Sequence, residues 1–140
     1  MSLFVSQIVK TGKTTLFWFF FINFILMTEA KIQSEVVQWF WNEFKEFRGL
    51  LYHNYNNPRN AVNGSNLLAL GLIKGTPDLT LALPRGGYGA LYLELKKPGE
   101  KPKPHQVKQM DRLRGAGNLV EWADNVEDLK ALILKYLTLN

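Results

Sequence analysis

The sequence contains no cysteine, and histidine occurs only twice in its 140 residues. Without cysteine the chain forms no disulfide bond and no zinc site with thiolate ligands. Two histidines are also too few for a histidine-rich metal site. Internal repeats and low-complexity tracts are absent as well. Disulfide-stapled folds, zinc-finger folds and repeat architectures are therefore excluded.

The chain also lacks an apolar run long enough to span a membrane. Its most apolar stretch, Leu16–Met27, reads LFWFFFINFILM and is shorter than the ~20 residues that a membrane-spanning helix needs. Lys10 and Lys13 precede it, and a charged segment before an apolar one is typical of a signal peptide. Residues 1–27 are therefore set apart as an apolar extension. Three interpretations stay open. Translation begins at Met27, so that the segment is an artefact of gene assignment or a disordered extension; the segment is a membrane-contacting leader; or it is an extra packed element.

Neither the charge nor the composition is extreme. Charged residues make up 21% and hydrophobic residues 46% of the chain, which is ordinary for a globular protein. The net charge of +5 suits a polyanionic partner. Without Lys10 and Lys13, however, 15 basic residues face 12 acidic ones, so basicity alone is a weak argument for nucleic acid. Residues 28–140 are long enough for one domain with a single core.

The central feature of the sequence is a pair of short strands predicted between Gly75 and Lys96, joined by a glycine-rich hairpin. Thr76-Pro77 favours a sharp start to the first strand, because proline fixes its own φ and biases the preceding residue towards extended geometry. Successive side chains of a strand point to opposite faces, so the leucines share one face. We expect six of them to face the core: Leu79, Leu81, Leu83, Leu91, Leu93 and Leu95.

The polar face of this strand pair brings Asp78, Glu94 and Lys96 together. Opposed residues in antiparallel strands share a face. An even register, with Asp78 opposite Glu94 or Lys96, therefore gathers two carboxylates and one ammonium. Two carboxylates that close repel each other unless a cation lies between them. The pattern predicts a metal site with a lysine beside it.

The flanking segments predict helices and two more strands. A helix over Thr28–Phe47 has aromatic and aliphatic residues on one face. Glu35 lies at the border of that face, and Glu43 projects nearer its centre. The predicted order α-β-α-β-β-α-β-α indicates an α/β fold, a small mixed sheet flanked by helices. The remaining elements are a strand over Leu50–Tyr55, a helix over Asn66–Ile73 that ends at Gly71 or Gly75, a helix from Gln106 to about Arg114, a strand over Leu119–Ala123 and a last helix capped by Asn125.

The order Gly-x-Pro-Asp-Leu, then Glu-x-Lys on the next strand, resembles the PD-(D/E)xK nuclease superfamily, and its VRR-NUC branch more closely. The matching segments are Gly75–Leu79 and Glu94–Lys96. Glu35 on the first helix and Gln106 at the opening of the helix after the sheet complete the match, which covers roughly residues 28–137. The resemblance implies a restriction-endonuclease-like core for residues 28–140.

The resemblance also implies an activity, a metal-dependent DNA endonuclease that hydrolyses phosphodiester bonds with Mg²⁺ or Mn²⁺. Lys96 would position or deprotonate the attacking water, and Gln106 would orient the groups around it. The metal ligands would be Asp78, Glu94, the Leu95 backbone carbonyl and Glu35. An alternative of a different class is a catalytically inactive nucleic-acid-binding module of the same fold.

The partners implied by the resemblance are DNA, with branched DNA such as four-way junctions as one candidate substrate, and a second copy of the chain in a homodimer. No small-molecule cofactor and no membrane partner is expected, and the expected location is the cytoplasm, that of the host if a phage encodes the chain. Two polar segments are candidates for contact with the nucleic-acid backbone. Turn formation explains the first segment equally well, and a lysine-rich loop such as the second is more often simply solvated. The candidate residues are His53, Asn56, Arg59, Lys97, Lys101 and Lys103.

Overall fold

A computed structural model of the chain describes residues 12–55 and 61–140. From Glu29 onward the order of helices and strands is the one that the sequence predicts, which confirms the α/β class. A 3-10 helix over Lys45–Leu50 and an additional N-terminal helix were not predicted. The elements are α1 (Gly12–Ile25), α2 (Glu29–Glu43), β1 (Leu51–His53), α3 (Ala61–Ala69), β2 (Leu79–Leu81), β3 (Leu91–Leu95), α4 (Pro104–Gly115), β4 (Leu119–Ala123) and α5 (Val126–Leu137).

The four strands form one mixed sheet in the order β1-β2-β3-β4. β1 pairs with β2 and β2 with β3 in antiparallel fashion, whereas β3 and β4 are parallel. Leu79 lies opposite Leu93 and Thr80 opposite Tyr92. Continuing this register by one pair sets Asp78 against Glu94. The predicted even register is therefore confirmed.

The leucine face of the sheet forms the core with α2 and α5. Five of the six predicted leucines are completely buried, whereas Leu83 lies beyond the end of β2 and is only partly buried. The backbone carbonyl of Leu83 accepts a hydrogen bond of 2.7 Å from the Tyr136 hydroxyl of α5. The helices contribute a buried set of their own: Ile32, Val36 and Phe40 from α2, and Leu129, Ile133 and Tyr136 from α5.

The opposite face of the sheet is covered in part by α4. Met110 of α4 and Val120 of β4 are both buried and lie outside the main core cluster. The guanidinium group of Arg114 donates two hydrogen bonds, of 2.6 and 3.1 Å, to the Val120 carbonyl. These bonds attach the end of α4 to the edge strand. The helix after β3 is thereby held against the sheet, with its first turn near the end of β3.

α2 is shorter than predicted. It ends at Glu43 instead of Phe47, because Phe44 has a ψ of 65° and the chain then tightens into the 3-10 helix. The ring of Phe44 lies 5.1 Å from that of Phe40 and 5.7 Å from that of Trp39. Packing of these aromatic rings outweighs the local helical pattern, which could not reveal the break.

Two other predicted boundaries were also wrong. β1 has three residues instead of six, because at Asn54 the side chain already bonds to the loop before β2. α3 begins at Ala61 instead of Asn66. It ends just before Gly71, which has a φ of +94° and is the first of the two glycines at which the sequence predicts its end. By contrast, β4 and the Asn125 cap of α5 were predicted correctly.

The described side chains of α1 are mostly exposed. Those of residues 16–22 have between 41% and 66% of their surface accessible, so this helix is not buried as part of the core. Within residues 12–55 and 61–140, no helix has both the length and the apolar character needed to cross a membrane.

Candidate functional site

Asp78 is held in place from the end of β1 and from β3. The Leu95 backbone N–H donates a hydrogen bond of 2.8 Å to Asp78 Oδ2. The Asp78 carbonyl accepts from the Asn54 backbone at 2.8 Å and from His53 Nδ1 at 3.0 Å. Asn54 Nδ2 also donates to the Pro77 carbonyl at 2.8 Å. The loop before β2 is therefore fixed so that this carboxylate faces the end of β3.

Glu94 lies next to Asp78 and is almost completely buried, with 1% of its surface accessible. Its Oε1 atom accepts hydrogen bonds from Lys96 Nζ, at 2.7 Å, and from Gln106 Nε2. Its Oε2 atom is buried and has no hydrogen-bond partner among the described residues. A buried carboxylate oxygen without a partner is energetically costly. This oxygen therefore has a capacity to bind a hydrogen-bond donor or a cation that the described residues leave unused.

Lys96 is buried among oxygen atoms. Besides Glu94 Oε1, its Nζ atom contacts the Leu95 carbonyl at 2.8 Å and Glu29 Oε1 at 3.3 Å. A lysine ammonium has three hydrogen-bond donors, so these three oxygens can use all of them. The ammonium is therefore restrained in one position at the carboxylate pair.

Gln106 bridges the first turn of α4 and Glu94. Its Oε1 atom accepts from the Lys103 backbone N–H at 2.8 Å, while its Nε2 atom donates to Glu94. Gln106 is the third residue of α4, because the helix begins at Pro104. The prediction that Gln106 opens this helix was wrong by two residues, but its side chain does reach the predicted cluster.

Gly75 allows this turn of α4 to approach the loop before β2. Its φ is +85°, and an added Cβ would lie 2.8 Å from the His105 carbonyl oxygen. Residues other than glycine rarely adopt such a φ, and no side chain has room here. The glycine of the Gly-x-Pro-Asp pattern is thereby explained by close packing of backbones.

The electrostatics of the cluster are dominated by burial and by the two neighbouring carboxylates. Burial, and then the charge of Asp78, raise the pKa of Glu94 to about 7, although Lys96 opposes this rise. Burial also raises the pKa of Asp78, against the hydrogen bond from Leu95 and the charge of Lys96. Burial lowers the pKa of Lys96. The hydrogen bond to Glu94 and the charges of the surrounding acids together raise this pKa by more than burial lowers it, so the net shift is upward. The cluster carries a surplus of negative charge that a cation would relieve.

The structure brings Glu29 to the cluster, and not Glu35. Glu35 is exposed on α2, and no hydrogen bond or ion pair in the described structure joins it to Asp78, Glu94 or Lys96. The placement of Glu35 in the site is therefore corrected. Glu43, its rival in the sequence, is exposed near the end of α2.

A signal for Glu29 was present in the sequence. Glu29 precedes Ile32 by three positions and Val36 by seven, so it extends the buried stripe of α2 by one turn. Thr28 caps the helix through its hydroxyl, which accepts from the Lys31 N–H at 3.2 Å. Glu29 continues the buried face of the helix just after its cap, which makes it a better candidate for the site than Glu35, an acid at the border of that face.

A hard divalent cation fits the donor atoms of this cluster. The described residues contain no group of three or more histidine, aspartate and glutamate side chains close enough to hold a metal by themselves. Mg²⁺ typically takes one or two carboxylates and completes its shell with water and substrate oxygens. Asp78 and the free Oε2 of Glu94 meet that need. The Leu95 carbonyl, the predicted third ligand, accepts a hydrogen bond from Lys96 here.

The predicted contacts to the nucleic-acid backbone fall into two groups. Lys97, Lys101 and Lys103 are exposed and line a groove of about 620 Å³ beside the cluster, together with Lys96 and Glu29. On the other side, His53 bonds to the Asp78 carbonyl, as described above. Asn56 and Arg59 lie outside the described residues. The basic loop thus borders the candidate site, as predicted.

Comparisons with known proteins agree with this fold. A solved structure described as a VRR_NUC domain protein has a TM-score of 0.73 and 22% identity, covering 81% of this chain and 91% of its own. A second, described as a VRR_NUC domain, has a TM-score of 0.50 and 24% identity, covering 77% of this chain and 96% of its own. The chain therefore has the fold of these domains.

One curated relative is similar in sequence. It is "Putative nuclease p44" of Acyrthosiphon pisum secondary endosymbiont phage 1, with 38% identity over 60 residues. The match covers 43% of this chain and 61% of the relative, so the chain spans somewhat less than two thirds of that protein. No model of a known protein family matches the chain.

Proposed function

We propose that this protein is a DNA endonuclease that depends on Mg²⁺ or Mn²⁺ and hydrolyses phosphodiester bonds at the cluster of Asp78, Glu94 and Lys96. The observation that carries the proposal is the buried, unpartnered Oε2 of Glu94 beside a second carboxylate and a restrained lysine. The fold shared with VRR_NUC domains and the similarity to a phage protein named as a nuclease support it.

Asp78 and Glu94 would hold the metal, with the Leu95 carbonyl beside them. When bound, Mg²⁺ or Mn²⁺ would lower the pKa of a ligating water and polarise a phosphoryl oxygen. Glu29 contributes a further carboxylate, 3.3 Å from Lys96 Nζ, in the role that the resemblance assigned to Glu35. It would complete the charge balance of the site or an outer metal position.

Lys96 is proposed as the residue that touches the reacting atoms. Its ammonium is held by Glu94 and Glu29, so its position is set before DNA binds. A cation fixed in a buried site stabilises negative charge that develops on the phosphate more strongly than a mobile one in water. The donor that binds the Leu95 carbonyl here would be free to orient the attacking water once that carbonyl becomes a metal ligand. Gln106 would keep Glu94 in one rotamer, with Oε1 occupied and Oε2 free.

DNA would reach the cluster along the basic groove. Lys97, Lys101 and Lys103 can neutralise backbone phosphates there without reading sequence. We further propose the assembly that the resemblance implies, a cytoplasmic homodimer that cuts branched DNA in preference to linear duplex. Two active sites related by a two-fold axis suit symmetric cuts at a four-way junction. A monomer in light scattering that cuts linear duplex equally well would contradict this part.

The activity is tested by incubating the full chain with supercoiled plasmid, linear duplex and a four-way junction. We expect cleavage with Mg²⁺ or Mn²⁺ and none with chelator. Lys96→Ala should abolish most of the activity, whereas Lys135→Ala, at an exposed lysine on α5, should not change it. DNA binding without cleavage by the wild-type chain would favour the alternative, a binding module of the same fold.

A further inference from the structure

A second groove opens beside Asp78, between α2 and β1, and the mechanism above does not use it. Its volume is about 600 Å³, within the ~300–1,000 Å³ typical of sites for small organic groups. Glu29 and Asp78 line it on the side of the catalytic cluster. Glu29 also lines the basic groove. The two grooves therefore meet at the proposed catalytic centre.

The second groove offers an aromatic surface and amide groups. Tyr52 of β1 is 46% exposed, and its ring makes no aromatic contact or hydrogen bond with the described residues. A nucleobase can stack on such a ring whatever its sequence. Gln33 and Gln38 of α2 also line the groove. Each side-chain amide both donates and accepts hydrogen bonds, as the edges of bases do.

The two grooves differ in their balance of charge. Among the described residues that line the second groove, the carboxylates belong to Glu29 and Asp78, and His53 is the one basic side chain. The carboxylates of these acids repel a phosphate group but do not repel an uncharged nucleobase. Lysines outnumber the acids Glu29 and Glu100 in the basic groove. The basic groove has Lys97, Lys101 and Lys103, which attract phosphate. A strand that crosses the cluster can thus keep its backbone on the basic side.

We propose that the groove between α2 and β1 holds one unpaired nucleobase of the strand that is cut, stacked on Tyr52. The proposal rests on the proposed function, because it takes DNA as the substrate. A base within a duplex must be unpaired and unstacked before it can enter such a groove, whereas a base at a branch or flap is already free. A preference for DNA with an unpaired nucleotide near the scissile phosphate follows from this difference.

The test measures binding, so that it does not depend on cleavage. Fluorescence anisotropy with Ca²⁺ compares flap DNAs that carry either a base or an abasic residue at one unpaired position, scanned along the flap. For the wild-type chain, we expect one position at which loss of the base weakens binding by about 5- to 100-fold, the scale of one stacked base. In Tyr52→Val, the abasic residue should cause no further loss at that position.

Matched variants separate stacking from folding. Tyr52→Phe keeps the ring and should behave like the wild-type chain. Valine keeps the preference for strand geometry, so Tyr52→Val should unfold at a similar temperature. Tyr88→Val removes an exposed tyrosine that lines a different groove. It should not change the difference in affinity between DNA with the base and DNA with the abasic residue. In the wild-type chain, 2-aminopurine at the sensitive position should be quenched by stacking.

Two results would overturn the nucleobase site. One is that replacing a base by an abasic residue weakens DNA binding equally in the wild-type chain and in Tyr52→Val, at every position of the flap. The other is 2-aminopurine that stays unquenched along the whole flap. Cleavage with either result leaves the nuclease proposal in place and removes this site. If binding distinguishes the base from the abasic residue only when Tyr52 is present, but no DNA is cleaved, the nucleobase site is supported and the nuclease proposal is wrong.

Discussion

Glu29 Oε1 lies 3.3 Å from Lys96 Nζ, although 67 residues separate the two in sequence. This ion pair links the first turn of α2 to the end of β3. It gives the lysine a second carboxylate besides Glu94. The helix acid of the site is therefore part of the charge balance of the proposed catalytic lysine.

The first prediction concerns the choice between the acids of α2. Glu29→Gln removes one negative charge from Lys96 while keeping a hydrogen-bond acceptor, and it should lower the rate of DNA cleavage by ~10- to 100-fold, the usual effect of an outer-shell partner. Glu35→Gln is the matched control, because Glu35 is exposed and away from the cluster. Equal rates for the two variants would contradict the assignment of Glu29.

The second prediction concerns the stability of the metal-free protein. The pKa of Glu94 is about 7 in the folded chain and 4.5 in its ordinary state, so between these values the folded state holds a proton that the unfolded state has released. Folding stability should therefore fall as the pH rises from about 4.5 to about 7, and change little from this cause above it. The free energy of unfolding should decrease by at most about 3 kcal/mol over this range.

Urea unfolding in chelator between pH 5 and pH 8 measures this loss. Glu94→Gln removes the titrating group, so its stability should depend less on pH over the same range. Added Mg²⁺ should restore stability to the wild-type chain at pH 8, because it binds the ionised carboxylates. The same pH dependence in the wild-type chain and in Glu94→Gln would show that another group is responsible.

The third prediction concerns the N-terminal segment. The described side chains of α1 are largely exposed, while Thr28 already caps α2 and Met27 packs against the core. A chain that begins at Met27 should fold, remain soluble and cut DNA as fast as the full chain. Circular dichroism and the cleavage assay check this. Loss of folding or activity that residues 1–26 restore would mean that the segment has a role in the domain.

Much of the fold was accessible from sequence because its signals are local. Alternating leucines set the register of β2 and β3, and Asn125 with two acids behind it marks the start of α5. What the sequence hid depends on long-range contacts. The end of α2 follows from aromatic packing around Phe44, and the pairing of Glu29 with Lys96 exists only once α2 lies across the sheet.

The residues of the site likewise divide into those with a local signal in the sequence and those placed by long-range contacts. Asp78, Glu94, Lys96 and Gln106 belong to short patterns on neighbouring segments, and the structure brings them together as the patterns predict. The helix acid lies far away in sequence. Its place on the buried stripe of α2 is a local signal that favours Glu29, but the contact with Lys96 depends on the direction of the α2 axis across the sheet. The unpartnered state of Glu94 Oε2 is likewise a property of three-dimensional packing and has no signal in the sequence.

The fourth prediction uses a pair of glycines with similar backbone angles. Gly75 and Gly99 have φ values of +85° and +82°, but only Gly75 has backbone atoms within reach of an added Cβ. Gly99→Ala should cost about 1 kcal/mol from backbone strain alone. Gly75→Ala adds a clash with His105 and should cost about 2 kcal/mol or more. It should also slow cleavage, because the displaced turn includes Gln106. Similar unfolding free energies for both variants would contradict this explanation of Gly75.

The last prediction separates the roles of the ligands from that of the lysine. Glu94→Gln and Asp78→Asn each keep the shape of the side chain and remove one ligand charge, so both should weaken metal binding as well as cleavage. Lys96→Ala removes no ligand and should leave metal binding near normal, while cleavage falls by ~10²-fold or more, as for loss of a group that stabilises charge or transfers a proton. Calorimetric titration with Mn²⁺ and single-turnover cleavage give the two readouts for each variant.

Calcium sharpens this comparison. Its looser coordination should support DNA binding by the wild-type chain with little turnover, because it orients a ligating water poorly. All three variants should stay folded, since the leucine core is untouched. Lys96→Ala is the decisive case, because the proposed chemistry requires a cation on the phosphate in addition to the metal. If this variant cuts DNA at the wild-type rate, the catalytic role of Lys96 is wrong, and its buried contacts with Glu94 and Glu29 serve only to hold the carboxylates in place.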